Sequence, residues 1–381
     1  MTSDLTNIVD LGIGHAEDIV LPLEELKNAA NHRLSLPDKA FLQYGPEEGS
    51  LSFRTKLAGF LSKHYQTLVC EKNLLITAGA SHGLDLILNK LGRAGDTVFV
   101  EDPTYFFALD IFRDRKVNVV PIATDQDGLD IDALESQLKL HKPAFLYTIP
   151  MFQNPTGAIL PAERRRRLVE LARRHDFLII ADEVYQLLGN QNELPLPLPY
   201  FDDERVLSLG SFSKILGPGI RIGWIQCSSK HIEILRSCGV LLSGGGVSPL
   251  TAAILESAIE LGIQDQYLSQ IRSLYDSRRI FMTSLLGQTL PEEVTFVPPK
   301  GGFFIWLTLP RGLDAARLSQ EAVSMNINFK PGSACSCRQN FSNCLRLCFT
   351  FYGEEKLLFA CERLSKLLQI HIERESACTI Q

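Results

Sequence analysis

One repeated local pattern constrains the fold of this chain more than any other feature. A short apolar run, such as Leu74–Thr77, ends in a polar or glycine-rich turn and is followed by a segment with helical periodicity. Further apolar runs of this kind lie at 97–100, 144–148, 177–181 and 206–209. Near-continuous apolar strands that alternate with helices are typical of a largely parallel sheet covered on both faces. The sequence therefore predicts an α/β fold with a mostly parallel sheet between helices.

Polar side chains stand out at the points where these apolar runs stop. They are Ser81, Asn154, Asp182, Ser211 and Lys214. Ligands of open parallel sheets bind outside the carboxyl ends of the strands. We therefore predict that these five groups, which are distant along the chain, converge on one crevice.

Two of these residues have an ordinary alternative. Asp182 ends an apolar run, so its buried carboxylate needs a partner, and it could either cap the next helix or hold a cationic ring nitrogen. Lys214 could be a surface lysine, but it lies in a serine-rich turn seven residues before Arg221, a combination that suits phosphate. A lysine desolvated beside Arg221 would have a lowered pKa and would be a competent amine nucleophile.

The turn at 79–81 offers a second anion site. Backbone N–H groups at the start of a helix attract anions, and the small residues Gly79, Ala80 and Ser81 permit a close approach. The spacing is not that of a P-loop, and no convincing dinucleotide-binding fingerprint is present. A nicotinamide-dependent dehydrogenase is therefore disfavoured.

Composition narrows the class of protein further. With 381 residues, two domains are the default expectation, and the net charge of −6 argues against a nucleic-acid-binding protein. No apolar run approaches the ~20 residues of a membrane span, and the start of the chain lacks the features of a secretory signal. Nine scattered cysteines favour reduced thiols over disulfides, and their spacing is not that of a zinc site. We expect a cytoplasmic protein without a metal site or a membrane span.

The alternation of apolar strands and helices gives way to a different pattern after about residue 284. Short strand-like runs at 294–297, 301–306 and 344–349 are followed by a helical stretch at 357–368. This pattern predicts a smaller α+β unit. The predicted division is a large domain at 25–284 and a small domain that combines 1–24 with 285–381.

In order along the chain, a series of short motifs resembles those of fold-type I enzymes that depend on pyridoxal 5'-phosphate (PLP). The resemblance is to the class I/II aminotransferase group, over residues 11–349, and within it to the 2-aminoadipate, kynurenine and multi-substrate aminotransferases. It implies a seven-stranded, mostly parallel sheet in the large domain. The motifs are LQYGP (42–46), TAGASHG (77–83), DPTY (102–105), QNPTG (153–157), ADEVY (181–185), SFSK (211–214), GPGIRIGW (217–224), KGGFF (300–304) and LRL (345–347).

The resemblance implies three catalytic residues and two further contacts to the cofactor ring. Lys214 forms a Schiff base with PLP and later moves the proton from the substrate Cα. Asp182 keeps the pyridine nitrogen protonated, which makes the ring an electron sink. Tyr185 and Asn154 bind the phenolic oxygen of the ring, and Tyr105 stacks on its face.

The same resemblance implies a phosphate site and a substrate site. The phosphate is bound by backbone groups of Ala80 and Ser81 together with Ser211, Ser213 and Arg221. Tyr44 of the neighbouring subunit also reaches it, so a homodimer with shared active sites is expected. Asn154 and Arg346 bind the substrate, Arg346 through its α-carboxylate, and Gly14 lies close to the substrate. An internal ion pair is the alternative for Arg346.

These roles predict transfer of an amino group from an L-amino acid to a 2-oxo acid such as 2-oxoglutarate. We expect a broad range of amino donors, with side chains that are large and apolar, aromatic, or similar to that of 2-aminoadipate. No arginine in 242–249 is placed to bind a distal carboxylate, which argues against a strict dicarboxylic preference. A β-eliminating or C–S lyase and a PLP-dependent oxidase share these motifs and remain alternatives. A non-enzymatic regulator is disfavoured because Gly14 leaves no room for an N-terminal helix-turn-helix domain.

Two features are expected to be structural. His82 is predicted to satisfy a neighbouring backbone group rather than to act in catalysis. The arginine run at 164–167 is predicted to be a solvated helix face.

Overall fold

The structure, a computed structural model, describes residues 8–189 and 193–379. Its strands are β1 (Val9–Asp10), β2 (Leu74–Thr77), β3 (Thr97–Asp102), β4 (Asn118–Asp125), β5 (Gly128–Leu129), β6 (Phe145–Thr148), β7 (Leu178–Asp182), β8 (Val206–Ser211), β9 (Gly223–Gln226), β10 (Thr295–Phe296), β11 (Phe304–Thr308), β12 (Ile327–Asn328), β13 (Lys330–Pro331) and β14 (Cys344–Cys348). Its helices are α1 (Leu23–Ser35), α2 (Leu51–Tyr65), α3 (Ala80–Leu91), α4 (Phe106–Asp114), α5 (Ile131–Leu138), α6 (Ala162–His175), α7 (Ser229–Arg236), α8 (Gly239–Leu242), α9 (Pro249–Glu260), α10 (Ile263–Thr289), α11 (Ala315–Ala322) and α12 (Glu354–Thr379).

The large sheet confirms the predicted α/β architecture. Its strand order is β2-β9-β8-β7-β6-β3-β4-β5. The central strands from β8 to β4 pair in parallel, whereas β9 is antiparallel to both of its neighbours. Because β9 is antiparallel to both, β2 again runs parallel to β8. The seven expected strands are extended at one edge by β5, a two-residue strand that pairs with the end of β4.

Burial explains why these runs are so apolar. Every residue of β2, β6, β8 and β9 is buried, because helices cover both faces of the sheet.

Local signals set several helix ends. Ser50 caps α2 by accepting a hydrogen bond from the Phe53 N–H, and Asp130 caps α5 in the same way. At its other end, α2 stops at Gln66, which has a left-handed backbone.

A smaller antiparallel sheet of order β10-β11-β14-β13 forms in the C-terminal part of the chain. The N-terminal strand β1 pairs with β12 in this same region, with Val9 opposite Ile327. The domain division at 24/25 and 284/285 stays a prediction, and its second boundary falls inside α10. Within 8–189 and 193–379, no helix is long and apolar enough to cross a membrane.

Candidate active site

The predicted crevice is present as a cavity of about 410 Å³ at the carboxyl ends of the central strands. β7 ends at Asp182 and β8 ends at Ser211, while α3 begins at Ala80 shortly after β2. Every predicted site residue except Tyr44 lines this cavity: Gly14, Ala80, Ser81, Tyr105, Asn154, Asp182, Tyr185, Ser211, Ser213, Lys214, Arg221 and Arg346. The expected convergence of chain-distant groups is therefore confirmed.

Tyr44 is the exception. Its side chain is 87% exposed, lies next to Gly244, and contributes nothing to the cavity of its own chain. A residue that acts on a neighbouring subunit would be placed in this way. The role of Tyr44 across a dimer interface stays a prediction.

Asp182 has one oxygen bound and one oxygen free. The hydroxyl of Tyr147 donates to Oδ2 at 2.7 Å, whereas Oδ1 is buried without a hydrogen-bond partner among the described residues. Burial raises the pKa of this carboxyl group, although Tyr147, the backbone N–H of Val184 and the nearby Lys214 act in the opposite direction. The Val184 N–H does not reach hydrogen-bond geometry to Oδ1. A buried acceptor without a donor is costly, so the site fits a ligand that brings a donor, such as a protonated pyridine nitrogen. In the described part of the chain, the next helical turn (Gln186–Leu188) begins after Tyr185 and not after Asp182, which removes the structural alternative.

The Lys214 side chain is half-buried and lines the same cavity. Its Nζ donates to the carbonyl oxygen of Gly14 at 2.6 Å and lies 5.2 Å from the centre of the Phe303 ring. Burial lowers the pKa of Lys214 to about 8, and the charge of Arg346 acts in the same direction. The lowered pKa was predicted, but the neighbouring cation responsible is Arg346 rather than Arg221. Lys214 is therefore an amine that can lose its proton near neutral pH.

The end of the cavity near the start of α3 suits an anion. Gly79 precedes α3 with φ of +90°, and a Cβ atom at this position would lie 2.7 Å from Nη2 of Arg221. Arg221 itself has a left-handed backbone and, within the described ranges, its hydrogen bonds go to two backbone oxygens, those of Pro218 and Ala78. The hydroxyl of Ser211 donates to that of Ser213 at 3.0 Å. Free helix N–H groups, two hydroxyls and one guanidinium together suit a phosphate.

Arg346 lies at the substrate end of the cavity and is 2% exposed. Nη1 donates to Oδ1 of Asn154 and Nη2 donates to the Gly12 carbonyl oxygen, both at 2.7 Å. Nε is buried without a partner among the described residues. The partners that hold this guanidinium are thus neutral, and no internal ion pair of Arg346 is observed within residues 8–189 and 193–379. Its full charge is available to a carboxylate.

Aromatic rings, among them Tyr105, Tyr185 and Phe304, line the cavity that contains Lys214 and Arg346. Phe304 stacks on Arg346, with the guanidinium carbon 4.0 Å from the ring centre, and Tyr185 packs edge-on against Phe304 at 6.2 Å. Tyr105 precedes α4, and burial together with the charge of Asp182 raises its pKa to about 12. The phenol of Tyr105 therefore stays neutral at physiological pH.

Sequence reasoning missed several residues that also line the cavity. Tyr147 lies in the apolar run 144–148, where periodicity indicates only a strand, but a hydroxyl in a buried strand needs a partner. Phe106 and Phe107 directly follow a recognised motif. Lys330 also lines the cavity, and its position as a lone charge between Phe329 and Pro331 is a sequence signal that could have identified it.

The arginine run at 164–167 was only partly predicted correctly. Arg164 and Arg167 form exposed ion pairs, with Asp125 and Asp132 respectively. Arg165 is instead fully buried behind the site, where it forms an ion pair with Glu183 and donates to backbone oxygens. A lone buried arginine is tolerated only with such partners, and periodicity does not reveal them.

Two other polar residues have structural contacts near the site. The Ala78 N–H donates to Nδ1 of His82 at 3.0 Å, which confirms that His82 satisfies a neighbouring backbone group. Glu101 is 1% exposed and accepts hydrogen bonds from Thr148, from the Ile149 N–H and from Gln153. Gln153 immediately precedes Asn154, so the buried carboxylate fixes the loop that carries Asn154.

Several known proteins are similar to this chain in sequence and in structure. The family model "Aminotransferase class I and II" matches residues 6–364. An aromatic-amino-acid aminotransferase from Thermococcus litoralis is 32% identical over 380 residues, which is 97% of this chain and 90% of that protein. The crystal structure of a multiple substrate aminotransferase from Thermococcus profundus has a TM-score of 0.90 at 31% identity, covering 97% of this chain and 93% of that one.

A third relative carries a cofactor derivative. The α-aminoadipate aminotransferase LysN from Thermus thermophilus, solved in complex with N-(5'-phosphopyridoxyl)-L-leucine, has a TM-score of 0.86 at 30% identity, covering 96% of this chain and 93% of that one. Each of these relatives is named as an aminotransferase, so amino-group transfer is favoured over elimination and oxidation. The chain belongs to the class I and II aminotransferases and is a PLP-dependent transaminase of fold type I.

Proposed function

We propose that this enzyme transfers the amino group of an L-amino acid with a large apolar, aromatic or 2-aminoadipate-like side chain to a 2-oxo acid such as 2-oxoglutarate. The observation that carries the proposal is one cavity in which a half-buried amine, a buried carboxylate with one oxygen lacking a hydrogen-bond partner among the described residues, and a buried guanidinium meet. These groups belong to Lys214, Asp182 and Arg346. The aromatic wall formed by Tyr105, Phe106 and the adjacent rings supports a large apolar donor.

Lys214 is the proposed attachment point for PLP and the proposed base. Because its pKa is about 8, part of the amine is neutral at pH 7, and a neutral Nζ can accept the proton that leaves the substrate Cα. When it is bound, PLP supplies an electron sink for the charge left on that carbon. Oδ1 of Asp182 would accept a hydrogen bond from the ring nitrogen, since it is the buried oxygen without a donor. Tyr147 holds the other oxygen and so orients the carboxylate.

The remaining cofactor contacts follow from the cavity lining. Tyr185 and Asn154 would donate to the phenolic oxygen of the ring, and Tyr105 would stack on the ring. The phosphate would be held by the N–H groups at the start of α3 and by three side chains. The proposed phosphate ligands are Ala80, Ser81, Ser211, Ser213 and Arg221, joined by Tyr44 from a second copy of the chain.

Arg346 and Gly14 are the proposed contacts to the substrate. The guanidinium of Arg346 would bind the α-carboxylate as a fork, because the partners of its two Nη atoms among the described residues are neutral oxygens. Asn154, which now bonds Nη1, would contact both the substrate and the ring. The carbonyl oxygen of Gly14 accepts from Lys214, which keeps the amine at the substrate end of the cavity.

A cytoplasmic homodimer is part of the proposal. Leu42 and Tyr44 are exposed on one segment of the chain. Gly244 lies next to the ring of Tyr44, and Leu242, two residues before Gly244, is also exposed. Exposed large apolar side chains of this kind are typical of a surface that another subunit covers. The described cysteines are all free thiols, as expected in a reducing compartment.

The test is a direct assay of the products. Purified enzyme with PLP is mixed with 2-oxoglutarate and each of twenty amino acids, and glutamate and the new oxo acid are measured. We expect glutamate with large apolar or aromatic donors. Ammonia, oxygen uptake, or an unaltered rate in Lys214→Ala would contradict the proposal. Lys366→Met, which removes an exposed lysine from α12, is the matched control.

A further inference from the structure

Lys330 is a cation in the cavity for which the proposed roles have no use. In the small sheet it lies directly opposite Arg346, as Cα partners in the antiparallel pair β13 and β14. Directly opposed residues of an antiparallel pair project from the same face of the sheet. Both residues line the cavity, so two cationic side chains enter it next to each other.

Neither cation is neutralised by the part of the chain that the structure describes. Among the described residues, no carboxylate forms an ion pair with either side chain. Arg346 bonds two neutral oxygens, and Nζ of Lys330 lies 4.6 Å from the ring centre of Phe106. Like charges that face each other across two strands destabilise a sheet, and a cation–π contact compensates only partly. An anion that binds between the two cations would remove this cost.

The charges in the cavity indicate that Lys330 would bind an anionic group of the substrate. Four lysine and arginine side chains line the cavity: Lys214, Arg221, Lys330 and Arg346. Among the described residues, the one acidic side chain in the lining is that of Asp182. The cofactor accounts for Lys214, Arg221 and Asp182, and the substrate α-carboxylate accounts for Arg346. One cation remains, and it lies beside the α-carboxylate site.

We propose that Lys330 binds the distal carboxylate of dicarboxylic substrates, such as 2-oxoglutarate and glutamate, and thereby sets the acceptor preference. This inference rests on the proposed transamination. The sequence has no arginine in 242–249 for this role, and Lys330 supplies the charge from a different element. A lysine has a flexible stem and a compact charge. When the substrate side chain is aromatic, the ammonium group stays over Phe106 and the ring wall of the cavity accepts the side chain.

The experiment compares two acceptors in the same enzyme. The ratio of kcat/KM for 2-oxoglutarate to kcat/KM for phenylpyruvate is measured in the wild type, Lys330→Met, Lys330→Arg and the surface control Lys366→Met. We expect Lys330→Met to lower this ratio by about 10- to 100-fold, as expected for loss of one charge-assisted hydrogen bond. Lys330→Arg should retain most of the preference, and the surface control should not change it.

A binding measurement avoids dependence on turnover. Calorimetric titration of the PLP enzyme with glutarate and with butyrate compares a dicarboxylate with a monocarboxylate. Lys330→Met should weaken glutarate binding by a similar factor and change butyrate binding much less. An unaltered ratio in Lys330→Met, or a wild type that transfers amino groups but does not bind glutarate more tightly than butyrate, overturns the inference. A wild type that transfers no amino group from any donor overturns the proposed function instead.

Discussion

The hydroxyl of Tyr147 donates a 2.7 Å hydrogen bond to Oδ2 of Asp182 and leaves Oδ1 of the same carboxylate buried without a partner among the described residues. The two residues come from neighbouring strands of the parallel sheet, β6 and β7. The strand that carries Asp182 therefore positions the carboxylate, and the adjacent strand fixes its orientation. This arrangement points one acceptor at the space that the cofactor ring would occupy.

The first prediction concerns this carboxylate. Asp182→Asn should lower kcat by about 100-fold or more, because an amide cannot keep a proton on the ring nitrogen. Tyr147→Phe keeps the charge and removes only the orienting hydrogen bond, so its kcat should fall by about tenfold or less. Steady-state assays at saturating PLP check both values. A kcat for Asp182→Asn within about twofold of the wild type would show that this carboxylate does not serve the ring.

The second prediction concerns the phosphate end of the cavity. Gly79→Ala should weaken PLP binding by about tenfold or more, since its Cβ would collide with Arg221 and its φ of +90° is strained for alanine. Gly59→Ala is the matched control, because Gly59 lies in α2 with no atom near its Cβ position. That change should leave PLP affinity unaltered and stabilise the fold by ~0.5–1 kcal/mol. Fluorescence titration of the apoenzyme with PLP compares them, and equal affinities would contradict the role of the turn.

The third prediction is a pH dependence. Attachment of PLP requires the neutral Lys214 amine, and burial lowers the pKa of this amine from its usual value of 10.5 to about 8. The rate at which the apoenzyme takes up PLP should therefore rise with pH, with its midpoint near 8 rather than near 10.5. Arg346→Gln should move the midpoint upward, because the charge of Arg346 helps to lower this pKa. Stopped-flow absorbance measures both profiles, and a wild-type midpoint at the usual lysine value would exclude a buried, perturbed lysine.

The fourth prediction tests whether Tyr44 acts across a dimer. Mixed dimers of Lys214→Ala and Tyr44→Ala chains contain one site with both native residues only if Tyr44 is donated by the partner. The mixture should therefore show a higher activity per Tyr44→Ala chain than Tyr44→Ala alone. Subunit exchange is checked with differently tagged chains. If the mixture shows no gain although mixed dimers form, Tyr44 does not reach the other site.

Much of the site could be predicted from the sequence because its residues follow the ends of apolar runs. Asp182, Ser211 and the helix start at Ala80 were placed correctly since the carboxyl ends of parallel strands meet at one edge. Strand β9 was harder to predict, because its four residues continue the motif that carries Arg221 and no turn separates them. The short edge strand β5 has no apolar pattern of its own.

The sequence by itself determined the fold class, the strands β2, β3, β6, β7 and β8 and the residues that meet at their carboxyl ends, because these depend on local periodicity and on short motifs. Only the tertiary structure decided that Lys214 is buried enough to have a pKa of about 8, that Arg165 is an internal ion-pair partner and that Lys330 lies beside Arg346. The physical reason is that burial and charge contacts depend on which segments pack together. Residues 330 and 346 are neighbours only through the pairing of β13 with β14, and no local pattern encodes that pairing.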